Sequence, residues 1–340
     1  MRRGPPIGTF GAVMSLGILS VALDLLGYRA ASLVLLVLAC IAYAGVVASI
    51  LARGRSLGDR LAADVADPEA AFGHFTFPAA SDVLASRLAL AHAVAPAAVL
   101  LGVGAAAWIA LIIAVPHQLG KWGFAGWTPT GSAFLPVVAT ESVPVAASAV
   151  LGAEPFAWFP AAALWCIGLL LYVLILTLLI GRVSSSGAGT ADLDASFGLT
   201  MGALAISTLA ALLLQRAPQA GLPAAIARPI LSIAPVTWSA GGIFMLLLCA
   251  LWGARVIRQG VRISYRVSEW SVVFPLGMYG TSGILLARAT GWQAPLAIAD
   301  LSIAASLLGL LAVSALALLP SARSRPGIGG GSPTDPRQYP

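Results

Sequence analysis

The sequence predicts an all-α, polytopic membrane protein of ten transmembrane helices arranged as five hairpins, and three observations carry that expectation. Of 340 residues, 59% are apolar and 9% charged, whereas an ordinary soluble domain carries about 25% charged residues. Apolar runs long enough to cross the hydrocarbon core of a bilayer recur along the chain. The connections between them are mostly short, which pairs each run with the next. The first solvent and partner of most of this surface is therefore lipid.

The spans are expected at 8–27, 30–52, 76–92, 94–115, 133–151, 157–181, 197–215, 232–257, 271–289 and 295–319. The first follows Met1-Arg2-Arg3-Gly4-Pro5-Pro6, a basic start that resembles a signal peptide. It reaches Leu26 without a clear cleavage site and a second run follows at once, so it reads as a retained span. Gly27-Tyr28-Arg29 closes the first hairpin, a few residues around His92 the second, and Thr290-Gly291-Trp292-Gln293 the fifth. Longer polar connections lie at 53–75, 182–196 and 258–270. Residues 1–320 are thus expected to form a single transmembrane transport domain, and 321–340 a disordered cytoplasmic tail rich in Gly, Pro and Ser. Cys40, Cys166 and Cys249 all fall within spans, and are read as buried apolar thiols without disulfide or metal spacing.

Basic residues set the expected orientation, because Lys and Arg are retained on the cytoplasmic side. With the N-terminus inside, fourteen of the nineteen Lys and Arg fall in cytoplasmic segments, including Arg53, Arg55, Arg60, Lys121, Arg182, Arg255, Arg258, Arg262 and Arg266. Arg29, Arg216, Arg228 and Arg288 fall outside, and Arg87 lies within the third span. Both termini are expected to be cytoplasmic, in a plasma or inner membrane. The net charge of +6 is spread over several loops rather than gathered in a stripe, so it calls for no nucleic-acid partner.

Polar residues and helix breakers are costly in hydrocarbon, so they mark faces turned from lipid. They crowd the odd spans. Ser15, Asp82, Arg87, Thr140, Glu141, Ser207 and Tyr279 are the candidates for lining a path, and Pro78, Pro136, Pro144, Pro275 and Gly277 the candidates for bending its helices. Spans two, four and six are mainly Leu, Val, Ala and Ile and suit a lipid-facing ring. Five odd helices inside and five even helices outside enclose an axis along which a solute can pass. Single small polar residues also let helices pack closely, but that accounts poorly for the contrast between odd and even spans.

Glu269-Trp270-Ser271-Val272-Val273-Phe274-Pro275-Leu276-Gly277-Met278-Tyr279-Gly280 resembles the tellurite-resistance/C4-dicarboxylate transporter family, which includes plant slow-type anion channels and fungal malate and sulfite carriers. Met14–Ala22, Phe75–Leu84, Val137–Ser142 and Met201–Leu209 agree in order, so the resemblance covers roughly 8–319. It implies a channel or secondary carrier for small anions (C4-dicarboxylate, sulfite, tellurite or the halide and nitrate class). It also implies a homotrimer, a pore of bent odd helices, and a phenylalanine gate at the position of Phe274. Pro275 beside that ring removes a backbone hydrogen bond and lowers the cost of bending. An aromatic ring at a narrow kink closes a path by excluding water.

Two departures bear on the solute. The family often has Gln at the position of Glu141, and Trp near Ala133 and Pro136. A carboxylate at mid-membrane repels an anion when ionised and acts as a neutral acid or proton carrier when protonated, so Glu141 is expected to face the pore and proton coupling stays open beside a simple channel. Asp82 and Arg87 are five residues apart, too far round a helix for an ideal pair, which leaves structural pairing elsewhere or a substrate role. An enzyme is disfavoured: His74, His92 and His117 are isolated, no nucleophile motif or phosphate loop occurs, and no cofactor is expected. A non-transporting scaffold or sensor is the remaining alternative.

Overall fold

The computed structural model describes residues 9–52, 64–122, 130–152, 158–186, 195–214, 223–259, 265 and 267–318; the tail expected at 321–340 lies outside them. Among the described residues ten long helices form: α1 (Phe10–Leu25), α2 (Arg29–Leu51), α3 (Thr76–Leu90), α4 (Val94–Trp122), α5 (Leu135–Leu151), α6 (Trp158–Ser186), α7 (Gly198–Leu214), α8 (Ala224–Gln259), α9 (Trp270–Thr290) and α10 (Ala294–Leu318). Eight segments among the described residues are long and apolar enough to cross a membrane; α1 is a shorter apolar helix, and α3 carries Asp82 and Arg87 in its 15 residues.

Each odd helix packs along the even helix that follows it, giving five hairpins. The odd helices also pack on one another in a closed circuit, from α1 to α3, α5, α7 and α9 and back to α1. Burial follows this arrangement: in their most apolar stretches α7 is 89% buried, whereas α2 and α4 are each 11% buried. The side chains explain the sorting. Leu33, Val34, Val37, Leu38 and Ile41 of α2 are exposed and need only hydrocarbon around them. Ser, Thr, Gly and acidic side chains need protein partners, which only the inner ring supplies.

Tight turns close the hairpins. Gly291 ends α9 with φ of 75° in the left-handed region, its N–H bonded to the carbonyl of Ala287 at 2.9 Å, a conformation in which glycine has no Cβ penalty. Short 3-10 turns at Phe72–Phe75, Gly131–Phe134, Ala195–Phe197 and Val267–Glu269 lead directly into α3, α5, α7 and α9. Nothing in the hydrophobic periodicity marks them.

Several expectations are corrected. Pro136 sits at the start of α5 and Pro78 is the third residue of α3. In a first turn the missing N–H costs little, so these two begin helices rather than bend them. Pro144 and Pro275 do lie inside α5 and α9. Helix α8 starts at Ala224, ahead of the expected 232, and runs through Pro229 and Pro235, while α4 continues past Pro116 to Trp122. Cys166 and Cys249 are exposed on outer helices rather than buried, and Cys40 is half-buried, because an apolar thiol is as compatible with lipid as with a protein core.

Candidate functional site

Because successive odd helices are separated by an even one, all five run in the same direction across the ring. Two cavities lie at opposite ends of it, and residues from all five odd helices line each. The first, about 320 Å³, is bounded by the beginnings of those helices: Gly11 and Met14, Gly73 and Thr76, Thr130, Ser132 and Leu135, Ser196 and Leu199, and Val267, Ser268, Trp270, Ser271 and Phe274. The second, about 340 Å³, is bounded by their later halves, including Ile18, Val83, Ser142, Ile206 and Met278.

The layer between them is thin. On α1 and α9 it spans Met14 to Ile18 and Phe274 to Met278, four residues in each case, or about 6 Å at the rise of an α-helix. On α3, α5 and α7 it runs from Thr76 to Asp82, Leu135 to Ser142 and Leu199 to Ile206, about 9 to 10 Å by the same rise. Phe274 is 2% exposed, Met278 1% and Ile206 fully buried, so the chambers are sealed from each other by closely packed apolar side chains. Ala79 and Ala80 of α3 and Ala203 of α7 also lie in this layer and are fully buried.

Pro275 places Phe274 within a tightly framed segment. A Cβ added to Gly202 of α7 would touch the Pro275 ring at 3.0 Å, and one added to Gly277 would meet Ile18 of α1 at 3.0 Å and Ser306 of α10 at 3.2 Å. Gly277 therefore permits close helix approach. Two serines of α10 hold this part of α9: Ser306 Oγ donates to the carbonyl of Val273 at 2.7 Å, and Ser302 Oγ to that of Leu276 at 2.8 Å. Both lie on an even span, where polarity on the odd spans gives no sign of them. Met14, Ile18, Ile206 and Met278 are apolar, and their only sequence signal is their spacing from one another and from Phe274.

Of the seven expected lining residues, Asp82 borders the second chamber, and the other six border neither chamber. Ser15 donates to the carbonyl of Gly11 at 2.8 Å. Thr140 accepts from the Trp108 indole of α4 at 2.9 Å and donates to the carbonyl of Pro136. Tyr279 stacks on Trp238 of α8 with ring centroids 4.8 Å apart, and its ring lies against Gly241 and Gly242.

Glu141 turns outward between α5, α6 and α7. Its Oε1 accepts from Ser207 Oγ at 2.9 Å, and its carboxylate lies so close to Gly168 of α6 that a Cβ there would collide with it. Asp82 is held in a related way one helix earlier. Its Oδ2 accepts from Ser142 Oγ of α5 at 2.7 Å, and its carboxylate lies against Gly104 of α4. In each case one oxygen, Oε2 or Oδ1, has no hydrogen-bond partner among the described residues.

Arg87 is 2% exposed and finds its partners on the first hairpin rather than on its own helix. Its Nε donates to Ser20 Oγ at 2.9 Å and its Nη2 to Ser32 Oγ at 2.8 Å, with Asp24 Oδ1 at 3.4 Å. This cluster ties α1 and α2 to α3. Arg87→Met is therefore expected to lower stability by about 3 kcal/mol or more, since it removes two short hydrogen bonds from a charged group and such bonds contribute about 1.5 to 3 kcal/mol each. A lower melting midpoint in detergent, with unchanged flux per folded molecule, is the expected measurement; an unchanged midpoint would show that the cluster contributes nothing.

Among the described residues no group of His, Cys, Asp and Glu is placed to hold a metal ion. Two chambers thus lie along the axis of the helix ring, separated by an apolar layer. Comparison with known proteins agrees with that form. Over 121 residues the chain is 31% identical to uncharacterized membrane proteins of Mycobacterium tuberculosis, in strains H37Rv and CDC 1551. That match spans 35% of this chain and 60% of the length of those relatives. The family model described as SLAC1, voltage-dependent anion channel, matches residues 5–319. With nearly the whole span of the helical ring covered by that match, the chain belongs to the SLAC1 family of voltage-dependent anion channels.

Proposed function

We propose that the chain conducts small anions along the axis of the odd-helix ring, with Phe274 as the gate between the two chambers. The observation that carries this reading is the pair of chambers, each bordered by all five odd helices and separated near Phe274 by about one helical turn on α9. The first chamber suits anions in particular. The beginnings of five helices converge on it, directing the positive ends of their dipoles inward, and Thr76, Thr130, Ser132, Ser196, Ser268 and Ser271 border it with no acidic residue among the described residues. The solute class extends over chloride, nitrate, sulfite, tellurite and C4-dicarboxylates. Purified protein in liposomes, offered each of these in turn, is the test, and absence of flux for every anion in both wild type and a gate-opened variant would defeat the proposal.

The same reading holds the protein to be a homotrimer in the cell membrane with both termini cytoplasmic. The basic bias of the loops supports the orientation. A cysteine placed in the 258–270 connection, which carries Arg258, Arg262 and Arg266, should resist an impermeant thiol reagent added to intact cells and react after permeabilisation. Full labelling from outside would reverse the topology.

A further inference from the structure

The second chamber differs from the first in its lining. Asp82 is the one ionisable side chain that borders it among the described residues; the remainder are apolar or small, apart from the hydroxyls of Ser86, Ser142, Ser148 and Thr281. The later halves of the helices point toward it, so their dipoles add no positive end there. Asp82 is fully buried, and its neighbour Val83 borders the chamber together with Ile18, Ile206 and Met278, the residues that mark the far side of the closed layer. An anion that passes Phe274 therefore emerges beside Asp82, whose carboxyl group is buried just behind the chamber wall between Ser142 of α5 and Gly104 of α4. In a wall of low polarity a single charge acts over several ångströms with little screening.

The surroundings leave that charge uncompensated. From α5 the Ser142 hydroxyl faces Asp82, and from α4 Gly104. From α2 the nearby ionisable group is Tyr43, whose hydroxyl is bonded to Ser81 at 2.9 Å. Arg87, on α3 itself, is engaged with Ser20, Ser32 and Asp24 of the first hairpin. Glu141 on α5 is turned to Ser207 of α7 and Gly168 of α6. His74, in the turn before α3, lies 3.9 Å from Asp64. No cation thus sits against the Asp82 carboxyl group among the described residues.

We propose that Asp82, positioned by Ser142, is the electrostatic selector of the path. Ionised, it turns anions back as they enter the second chamber; protonated, it lets them through. Anion flux accordingly rises as the pH of that chamber falls. This inference rests on the anion-conducting reading, and its test separates the two.

The experiment measures nitrate flux through Phe274→Ala protein in liposomes, with the same pH on both faces so that insertion direction does not matter. Flux is expressed per folded molecule, counted from the monodisperse fraction before reconstitution. Flux at about pH 5 is expected to exceed that at about pH 9 by at least tenfold, a range that spans the shifts seen for buried carboxyl groups. Adding Asp82→Asn, which keeps an acceptor for Ser142, should raise the flux at high pH to the low-pH level and flatten the profile. Adding Glu141→Gln should leave the profile of Phe274→Ala intact. If Asp82→Asn is recovered poorly, Asp82→Ala removes the same charge and is read in its place. A pH dependence that survives loss of the Asp82 carboxyl group, a flat profile in Phe274→Ala itself, or a profile flattened by Glu141→Gln overturns the selector. Any of these still leaves anion conduction standing. Absence of nitrate flux in Phe274→Ala at every pH removes the conduction reading and the selector with it.

Discussion

Phe274→Ala is expected to raise the steady leak of small anions by at least tenfold, equivalent to lowering the barrier by about 1.4 kcal/mol or more. The layer that separates the chambers is only about one turn thick on α9, and Phe274 is a large, 2% exposed side chain within it. Truncation to Ala removes the ring without disturbing Pro275, the α10 serines that hold the neighbouring carbonyls, or the close approach of Gly202. The space released lies next to the hydroxyl-bordered first chamber, so water can enter it and carry ions. A packing role makes a different forecast. Loss of a core Phe typically costs about 3 to 5 kcal/mol, which lowers the yield of folded protein without adding flux. Phe244 of α8, partly buried against the core, provides the comparison: Phe244→Ala should reduce stability and leave flux per folded molecule unchanged. Reduced folding of Phe274→Ala with no added flux would assign the ring to packing alone.

Gly131→Ala is expected to destabilise the protein by about 2 kcal/mol, within the range of about 1 to 3 kcal/mol for overpacking a close-packed site. Gly131 opens the 3-10 turn that leads into α5, and a Cβ there would run into the main chain of Ser196 and Phe197, in the corresponding turn before α7. A side chain in the way can rotate aside. Main chain can give way only if a helix shifts, and α5 and α7 pack on each other within the ring. Gly102 of α4 is the matched control, because nothing lies within 4 Å of a Cβ added there. Gly102→Ala should be neutral or stabilise by up to about 1 kcal/mol, as expected when alanine replaces glycine in a helix interior. Thermal melts of the two variants in the same detergent make the measurement. Equal midpoints would show that the approach of the two turns constrains nothing.

The expected spans place all ten helices, and the contrast between odd and even spans anticipates which helices are buried. That much follows from local chemistry. A run of Leu, Val and Ile about 20 residues long is stable across hydrocarbon whatever its neighbours are, whereas one carrying the carboxyl group of Asp82 or Glu141 needs protein partners for it. The sequence by itself thus determined the membrane-spanning helical class, the pairing into hairpins and the inner or outer position of each helix. Which side of an inner helix meets the path was decided only by tertiary structure. Leu135 through Ala146 of α5 are all buried, so no apolar or polar stripe reveals the rotation of the helix. Glu141 and Ser142 are adjacent in sequence, yet one turns to Ser207 of α7 and Gly168 of α6 while the other borders the second chamber. Arg87 and Asp82 likewise find partners on different hairpins. The physical reason is that a buried polar group is stabilised by whichever neighbouring helix brings a hydrogen-bond partner or a glycine gap to it. That neighbour is set by packing across the ring, over separations of about 60 residues in chain, which no local pattern records.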